Sequence, residues 1–216
     1  TNVNPNLTRE GLLKHLDVCM KYDFQAAMIA PCYISLAKDV LKGTGIQVAS
    51  TLNFPQANDT LDMKLAALKE MIKTGVDQFD FPPNPGLLIG GEEKAYFEEM
   101  KQIVEVAHAS GVIVKSMLEF GFLNEEKKKK AAQLACEAGI DWVKQSSGWG
   151  VGGCAATVED VKILKENISL PCRVKVSGKV NSLEKMKMMF EAGAELVGTS
   201  SGPEIIEGLI GDPNAY

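Results

Sequence analysis

The chain has only two histidines, His15 and His108. That leaves almost no raw material for a histidine-based metal centre or a Ser-His-Asp triad, both of which draw on imidazole. Cysteine is present but unorganised: Cys19, Cys32, Cys136, Cys154 and Cys172 are odd in number, widely spaced, and form no C-x-x-C pair. Neither a disulfide framework nor a metal site is expected from that pattern. No apolar run approaches the roughly 18 residues of a membrane span and no signal-peptide pattern opens the chain, so no membrane partner is expected and the cytosol is the expected compartment. Excess positive charge is lacking as well. At a net charge of −5 the surface offers no basic field for nucleic acid, and any anionic ligand must meet a local positive site.

What is present fits one α/β domain over 1–216, long enough to bury a sizeable core. Short apolar, β-prone runs alternate with amphipathic stretches, the pattern of parallel βα units. Strands are expected at 24–30, 46–52, 76–82, 112–119, 140–145, 172–177 and 195–199. Thr8-Arg9-Glu10 opens a first helix, Asn58 precedes a second over 62–74, and others are expected over 92–110, 124–138, 157–167 and 182–192. Gly75, Gly111, Gly139 and Gly193 each stand between a helix and a strand, where a left-handed cap suits glycine. Strand starts lie about 22 to 36 residues apart, close to the ~30 of one βα unit, so the spacing predicts a TIM (β/α)8 barrel. The count is one strand short. Residues 1–3 are expected to be the tail of a truncated or irregular first strand, with closure by another segment as the alternative. An open doubly wound sheet stays open as the other architecture, because periodicity alone does not separate the two.

Strands buried on both faces normally read as continuous Val, Ile and Leu, and an ionisable group there costs several kcal/mol unless paired. Asp80, Lys115, Glu119, Lys144 and Lys175 all interrupt such runs. Asp80, Lys144 and Lys175 fall at strand ends, which in a barrel form the reactive rim. One carboxylate and two amines there suit amine catalysis: a lysine beside another cation and partly desolvated has a lowered pKa, so its neutral form can attack a carbonyl. Asp80 would move protons. Period-two alternation places Lys115 and Glu119 on one strand face, and a structural pair and a supporting role in the site are both open for them. The charge run at 127–130 reads as a solvated helix face, and the nine methionines read as core filling.

Glycine- and serine-rich loops follow the last three strands: 145–153, 176–179 and 198–202. Glycine lets backbone N–H groups approach an anion, serine adds donors, and the loops after the final strands are the usual phosphate station of such barrels.

These residues carry a resemblance. Asn53-Phe54-Pro55 with Asn58-Asp59, Asp80 in its strand, Val114-Lys115 through Leu118-Glu119, Trp-Val-Lys-x-Ser-Ser-Gly at 142–148, Val-Lys-x-Ser-Gly at 174–178 and Gly-Thr-Ser-Ser-Gly at 198–202 together resemble the deoxyribose-phosphate aldolase family over nearly the whole chain. The resemblance implies cleavage of 2-deoxyribose 5-phosphate to glyceraldehyde 3-phosphate and acetaldehyde, with no metal or organic cofactor. It implies Lys144 as the Schiff-base lysine, Lys175 as the second lysine that depresses its pKa, and Asp80 as the proton-relay acid. Ser147, Gly148, Gly178, Ser200 and Ser201 match positions around the phosphate, and Lys179, where a second glycine is usual, adds a cation there. Gln145 replaces a common threonine, the Pro-rich segment after Asp80 is unusual, and the family's opening Asp-x-Thr is missing. The implied partner is a small sugar phosphate, and family analogy favours a homo-oligomer, a dimer. A related lysine-dependent aldolase or thiolase with another phosphorylated substrate, and a silent phosphate-binding barrel, are the competing readings.

Overall fold

Helices begin where a short polar side chain takes over an orphan backbone N–H. In the computed structural model, which describes residues 1–212, the helices are α1 (Arg9–Lys21), α2 (Ile34–Val40), α3 (Leu61–Lys73), α4 (Pro85–Ile89), α5 (Glu93–His108), α6 (Glu125–Glu137), α7 (Val158–Glu166), α8 (Leu183–Glu191) and α9 (Gly202–Ile206). The last four residues of the expected 1–216 domain lie outside the described residues. Thr8, Thr60, Asn124, Thr157 and Ser182 each accept an N–H from the first turn of the helix that follows. The second expected helix is therefore capped by Thr60, not by Asn58. Three elements were not anticipated, because α2, α4 and α9 are too short to show a helical period. The proline-rich segment turns out to start one of them: Asn84 Oδ1 accepts Gly86 N–H and Pro85 stands at the first helical position, where its missing donor is harmless.

The strands are β1 (Ala26–Met28), β2 (Gln47–Thr51), β3 (Gln78–Phe81), β4 (Ile113–Met117), β5 (Trp142–Lys144), β6 (Arg173–Ser177) and β7 (Leu196–Gly198), each inside an expected run and shorter than it. They form one parallel sheet in chain order. Gly75, Gly111, Gly139 and Gly193 have φ of +97°, +70°, +88° and +114°, the left-handed turn from each helix into its strand. Because β4 ends at Met117, Glu119 lies beyond it, itself left-handed with φ 48°. The alternation that would have put Lys115 and Glu119 on one strand face stops before it reaches Glu119.

The sheet is curled, and one contact measures how strongly. Asp80 on β3 and Lys175 on β6 are three strands apart, roughly 14 Å in a flat sheet, yet Lys175 Nζ lies 2.6 Å from Asp80 Oδ2. Only a wall bent into a barrel brings them together, which settles the choice against the open doubly wound sheet. Phe79 and Phe81 flank Asp80 on the opposite face and are fully buried in the hydrophobic layer between strands and helices.

The wall is open between β1 and β7. A cavity of about 670 Å³ occupies the gap, lined by Phe24, Ala26 and Met28 on one side and Leu196, Val197 and Gly198 on the other. Residues 1–3 span it at one end. Asn2 forms a single parallel bridge with Ile29, and the Thr1 amino group donates to Thr199 O at 3.0 Å. The expected first strand is thus one bridge in the described residues. The run at 127–130 is more engaged than a solvated face: Lys127 donates to Leu88 O, and Lys128 pairs with Asp160 at 2.8 Å.

At the N-terminal end of the strands, two aspartates repeat one device. Asp77 Oδ2 accepts Val48 N–H at 2.7 Å and pairs with Lys38, while Asp141 Oδ2 accepts Val114 N–H at 2.8 Å and meets His108. Each ties the entry of one strand to its neighbour, far from the rim. Asp77→Ala is expected to cost about 1–3 kcal/mol, the value of a charge-assisted hydrogen bond and an orphaned donor, read as a lower urea midpoint with an unchanged fold by circular dichroism.

Candidate active site

Strand register does the first part of the assembly. Asp80 is the Cα partner of Lys115, and Lys144 is the Cα partner of Lys175. Curvature then turns these two rows toward each other. Asp80 Oδ2 takes Lys175 Nζ at 2.6 Å and Lys144 Nζ at 3.0 Å, and its Oδ1 faces Lys115 Nζ at 3.5 Å. All four side chains are buried, none more than 7% exposed. Three amines therefore surround one carboxylate away from bulk water.

The energetics of that arrangement follow from burial. Burial by itself pushes the Asp80 carboxyl up, but the attraction of Lys175, Lys144 and Lys115 outweighs it and holds the group well below the usual carboxylate range. Lys175 moves the other way. Desolvation is the main cause, Asp80 partly offsets it, Lys144 and Lys115 reinforce it, and the amine is lowered from 10.5 to about 7. Lys115 is lowered as well, first by burial and then by Lys144, against the pull of Asp80.

Lys115 and Glu119 do not pair. Lys115 donates to Gln78 Oε1, a neutral partner two residues before Asp80. Glu119 instead organises the loop after Lys144. Its Oε1 accepts Ser147 N–H and its Oε2 accepts Ser146 Oγ–H, both at 3.0 Å. Ser146 Oγ in turn accepts Gly148 N–H and Cys154 N–H. Burial raises the Glu119 carboxyl, and these serine hydrogen bonds draw it back only in part.

A small cavity of about 10 Å³ lies against the amines, lined by Thr51, Asp80, Met117, Lys144, Lys175 and Ser177, among others. That is room for about one water, the scale of a carbonyl group and not of a whole sugar. Ser177 lines this cavity and its neighbour Gly178 lines a second, of about 400 Å³, together with Gly148, Trp149 and Lys179. Three of the residues expected at the phosphate thus share one space. Gly178 is left-handed with φ +92°, and a Cβ there would sit 2.6 Å from Cys154 O, so no larger residue fits. Lys179 is also left-handed, φ 59°, where its backbone would favour glycine. Ser147 borders the site with its N–H engaged by Glu119 and its Oγ accepting Trp149 N–H. Ser200 lines a different cavity, the one between β1 and β7, which Lys175 and Gly198 also line, and Ser201 is buried with its N–H on Thr199 Oγ1.

Sequence reasoning missed Gln78, Ser146 and Gly198. Gly198 matters because a Cβ on it would come within 3.1 Å of Lys175 Cε, so its bareness gives the lysine its place. Its position at the head of the Gly-Thr-Ser-Ser-Gly run was the available signal.

No family model matches the chain. Curated proteins do. The deoxyribose-phosphate aldolase of Thermococcus kodakarensis is 38% identical over 210 residues, covering 96% of this chain and 93% of its own length. That of Staphylococcus carnosus is 38% identical over 213 residues, covering 98% and 94%. Among solved structures, the tetrameric deoxyribose phosphate aldolase from Aeropyrum pernix matches with a TM-score of 0.87 at 25% identity, over 95% of this chain and 86% of that one.

The lowered Lys175 amine has a signed consequence. Between about 7 and 10.5 the unfolded chain holds this proton and the folded chain does not, so stability rises with pH across that window. Raising the pH from 7 to 9.5 should increase the urea midpoint of the wild type more than that of Lys175→Met, and equal increments would contradict the assignment.

Proposed function

Because this chain belongs to the deoxyribose-phosphate aldolase family and is a lyase, we propose that it cleaves 2-deoxy-D-ribose 5-phosphate to D-glyceraldehyde 3-phosphate and acetaldehyde through a Schiff base on Lys144. The observation that carries the reading is the sharing of Asp80 Oδ2 by Lys144 and Lys175 within a buried cluster. A cation held beside an amine favours the neutral form of that amine. Neutral Lys144 attacks the C1 aldehyde of the open-chain sugar phosphate, and loss of water gives the iminium.

The iminium then acts as electron sink. The C3 hydroxyl loses its proton, the C2–C3 bond breaks, glyceraldehyde 3-phosphate leaves, and the enamine of acetaldehyde stays on Lys144. Protonation at C2 and hydrolysis release acetaldehyde and restore the amine. Asp80, kept ionised by its amines, accepts protons only in passing and hands them on, while Lys175, its amine near 7, supplies and takes up the protons of dehydration and enamine protonation at neutral pH. The carbonyl end fits the small cavity and the phosphate end the adjoining one, where Lys179 supplies charge and the backbone of Gly148 and Gly178 lies close.

The same reading makes the protein a homo-oligomer of the cytosol that works on a small sugar phosphate. The tetrameric Aeropyrum pernix relative supports self-association. Five free cysteines suit a reducing compartment, and among the described residues no helix is long and apolar enough to cross a membrane.

Borohydride added with substrate should trap a covalent adduct on Lys144, located by peptide mass spectrometry, and Lys144→Ala should lose both adduct and turnover while keeping its fold. Adduct on another lysine, or product other than acetaldehyde, would overturn the assignment. Asp80→Asn should lower kcat by about 10²–10⁴-fold, the range for loss of a positioned acid–base group.

A further inference from the structure

The two rim loops on either side of Asp80 are anchored from outside the barrel by a buried ion pair that the chemistry above does not use. Lys64, on α3, is fully buried; its Nζ lies 2.8 Å from Glu99 Oε1 of α5 and donates to Ala57 O at 2.7 Å. The same Glu99 oxygen accepts Asn84 N–H at 3.0 Å. Ala57 belongs to the loop after β2, in which Asn53 and Ala57 both take left-handed backbone, φ 50° and 67°. Asn84 ends the loop after β3, the strand that carries Asp80, and caps α4. One carbonyl and one amide, from consecutive rim loops, thus converge on two side chains.

A buried ion pair is a poor device for stability alone, because desolvating both charges offsets most of their attraction, and helices that need only to pack do so with apolar side chains. What Lys64 and Glu99 supply that leucine or methionine does not is direction. One gives a donor to a loop carbonyl, the other an acceptor to a loop amide, and losing either partner leaves a buried backbone group unsatisfied. The loop that holds Ala57 also carries Phe54, whose ring meets Trp149 edge-on with centroids 5.8 Å apart. Trp149 sits in the loop that follows Lys144. A chain of contacts therefore runs from the ion pair, through the loop of Ala57 and Phe54, to Trp149, which lines the cavity of Gly148, Gly178 and Lys179.

We propose that Lys64 and Glu99 are a positioning pair that fixes Phe54 against Trp149 at the wall of the cavity that Trp149 shares with Gly148, Gly178 and Lys179, and so determines how tightly the site holds a phosphate-bearing substrate. The proposal rests on the aldolase reading, in that the rim loops are taken to face substrate. It assigns no proton or bond to either residue; both act through the loops they hold.

The test is the double variant Lys64→Met/Glu99→Leu, with Glu99→Gln as a milder companion. The double variant is expected to fold with a modestly lower urea midpoint, since the gain from replacing an ionic pair by an apolar one is offset by the unsatisfied Ala57 O and Asn84 N–H. Its KM for 2-deoxyribose 5-phosphate should rise about tenfold, while borohydride trapping of acetaldehyde alone on Lys144, which needs no rim, proceeds at the wild-type rate. Backbone amide exchange over 53–57 and at Asn84 should quicken about tenfold. Glu99→Gln should show the same pattern to a smaller degree, and decides the matter if the double variant does not fold. Unchanged KM and unchanged exchange would overturn the proposal. Wild-type enzyme that fails to trap acetaldehyde would overturn the aldolase reading instead, and the exchange measurement would still report whether the pair anchors the loops.

Discussion

One carboxylate holding three buried amines is the interaction on which the rest of this structure depends. Asp80 touches Lys144, Lys175 and Lys115 at 3.0, 2.6 and 3.5 Å with almost no solvent nearby. If all four groups were ionised the cluster would carry excess positive charge in a poorly polarisable interior, where each uncompensated ion costs several kcal/mol. The molecule relieves that cost by loosening protons, as the lowered amines of Lys175 and Lys115 record. The same relief is what makes an amine a nucleophile near neutral pH. On the proposed reading, stability and reactivity are opposed at this cluster.

That cost is carried by a division of labour along the strands. Below the cluster, Asp77 and Asp141 stitch strand entries to one another, and a continuous apolar layer packs the wall against the helices. Above it, Glu119 and the serines at 146 and 147 shape the loop that follows Lys144. The bottom of the barrel supplies rigidity, and the rim supplies positioned groups. Glycines mark the tight places between them: Gly198 leaves room for Lys175, and Gly178 lets the backbone pass close to Cys154.

Much of this is legible in the sequence. Charges inside otherwise apolar strands pointed to Asp80, Lys144 and Lys175, because buried ions need a reason, and glycines between helices and strands marked the turns correctly. Partners were less legible. Lys115 and Glu119 share strand parity, but the strand stops at Met117 and a left-handed residue sends Glu119 to the serines. Gln78 and Glu99 carry no local signal, since Lys115 and Lys64, which they bind, lie 37 and 35 positions away. Short helices such as α4 escaped because five residues cannot display a period. Composition also could not say which cavity each loop lines: Ser200 shares one with Lys175, while Lys179 lines another.

From residue order alone came the kind of elements, their succession and the groups available to them: parallel βα units, ionisable side chains at strand ends, and glycine- and serine-rich loops after them. They follow from it because hydrophobic period, cap residues and misplaced charges are local facts. It took the folded barrel to bring Asp80 and Lys175, 95 residues apart, into one hydrogen bond. That contact needs the sheet to bend until strands three places apart face each other, and curvature arises from strand twist and helix packing summed over the whole chain, which no single window of sequence contains.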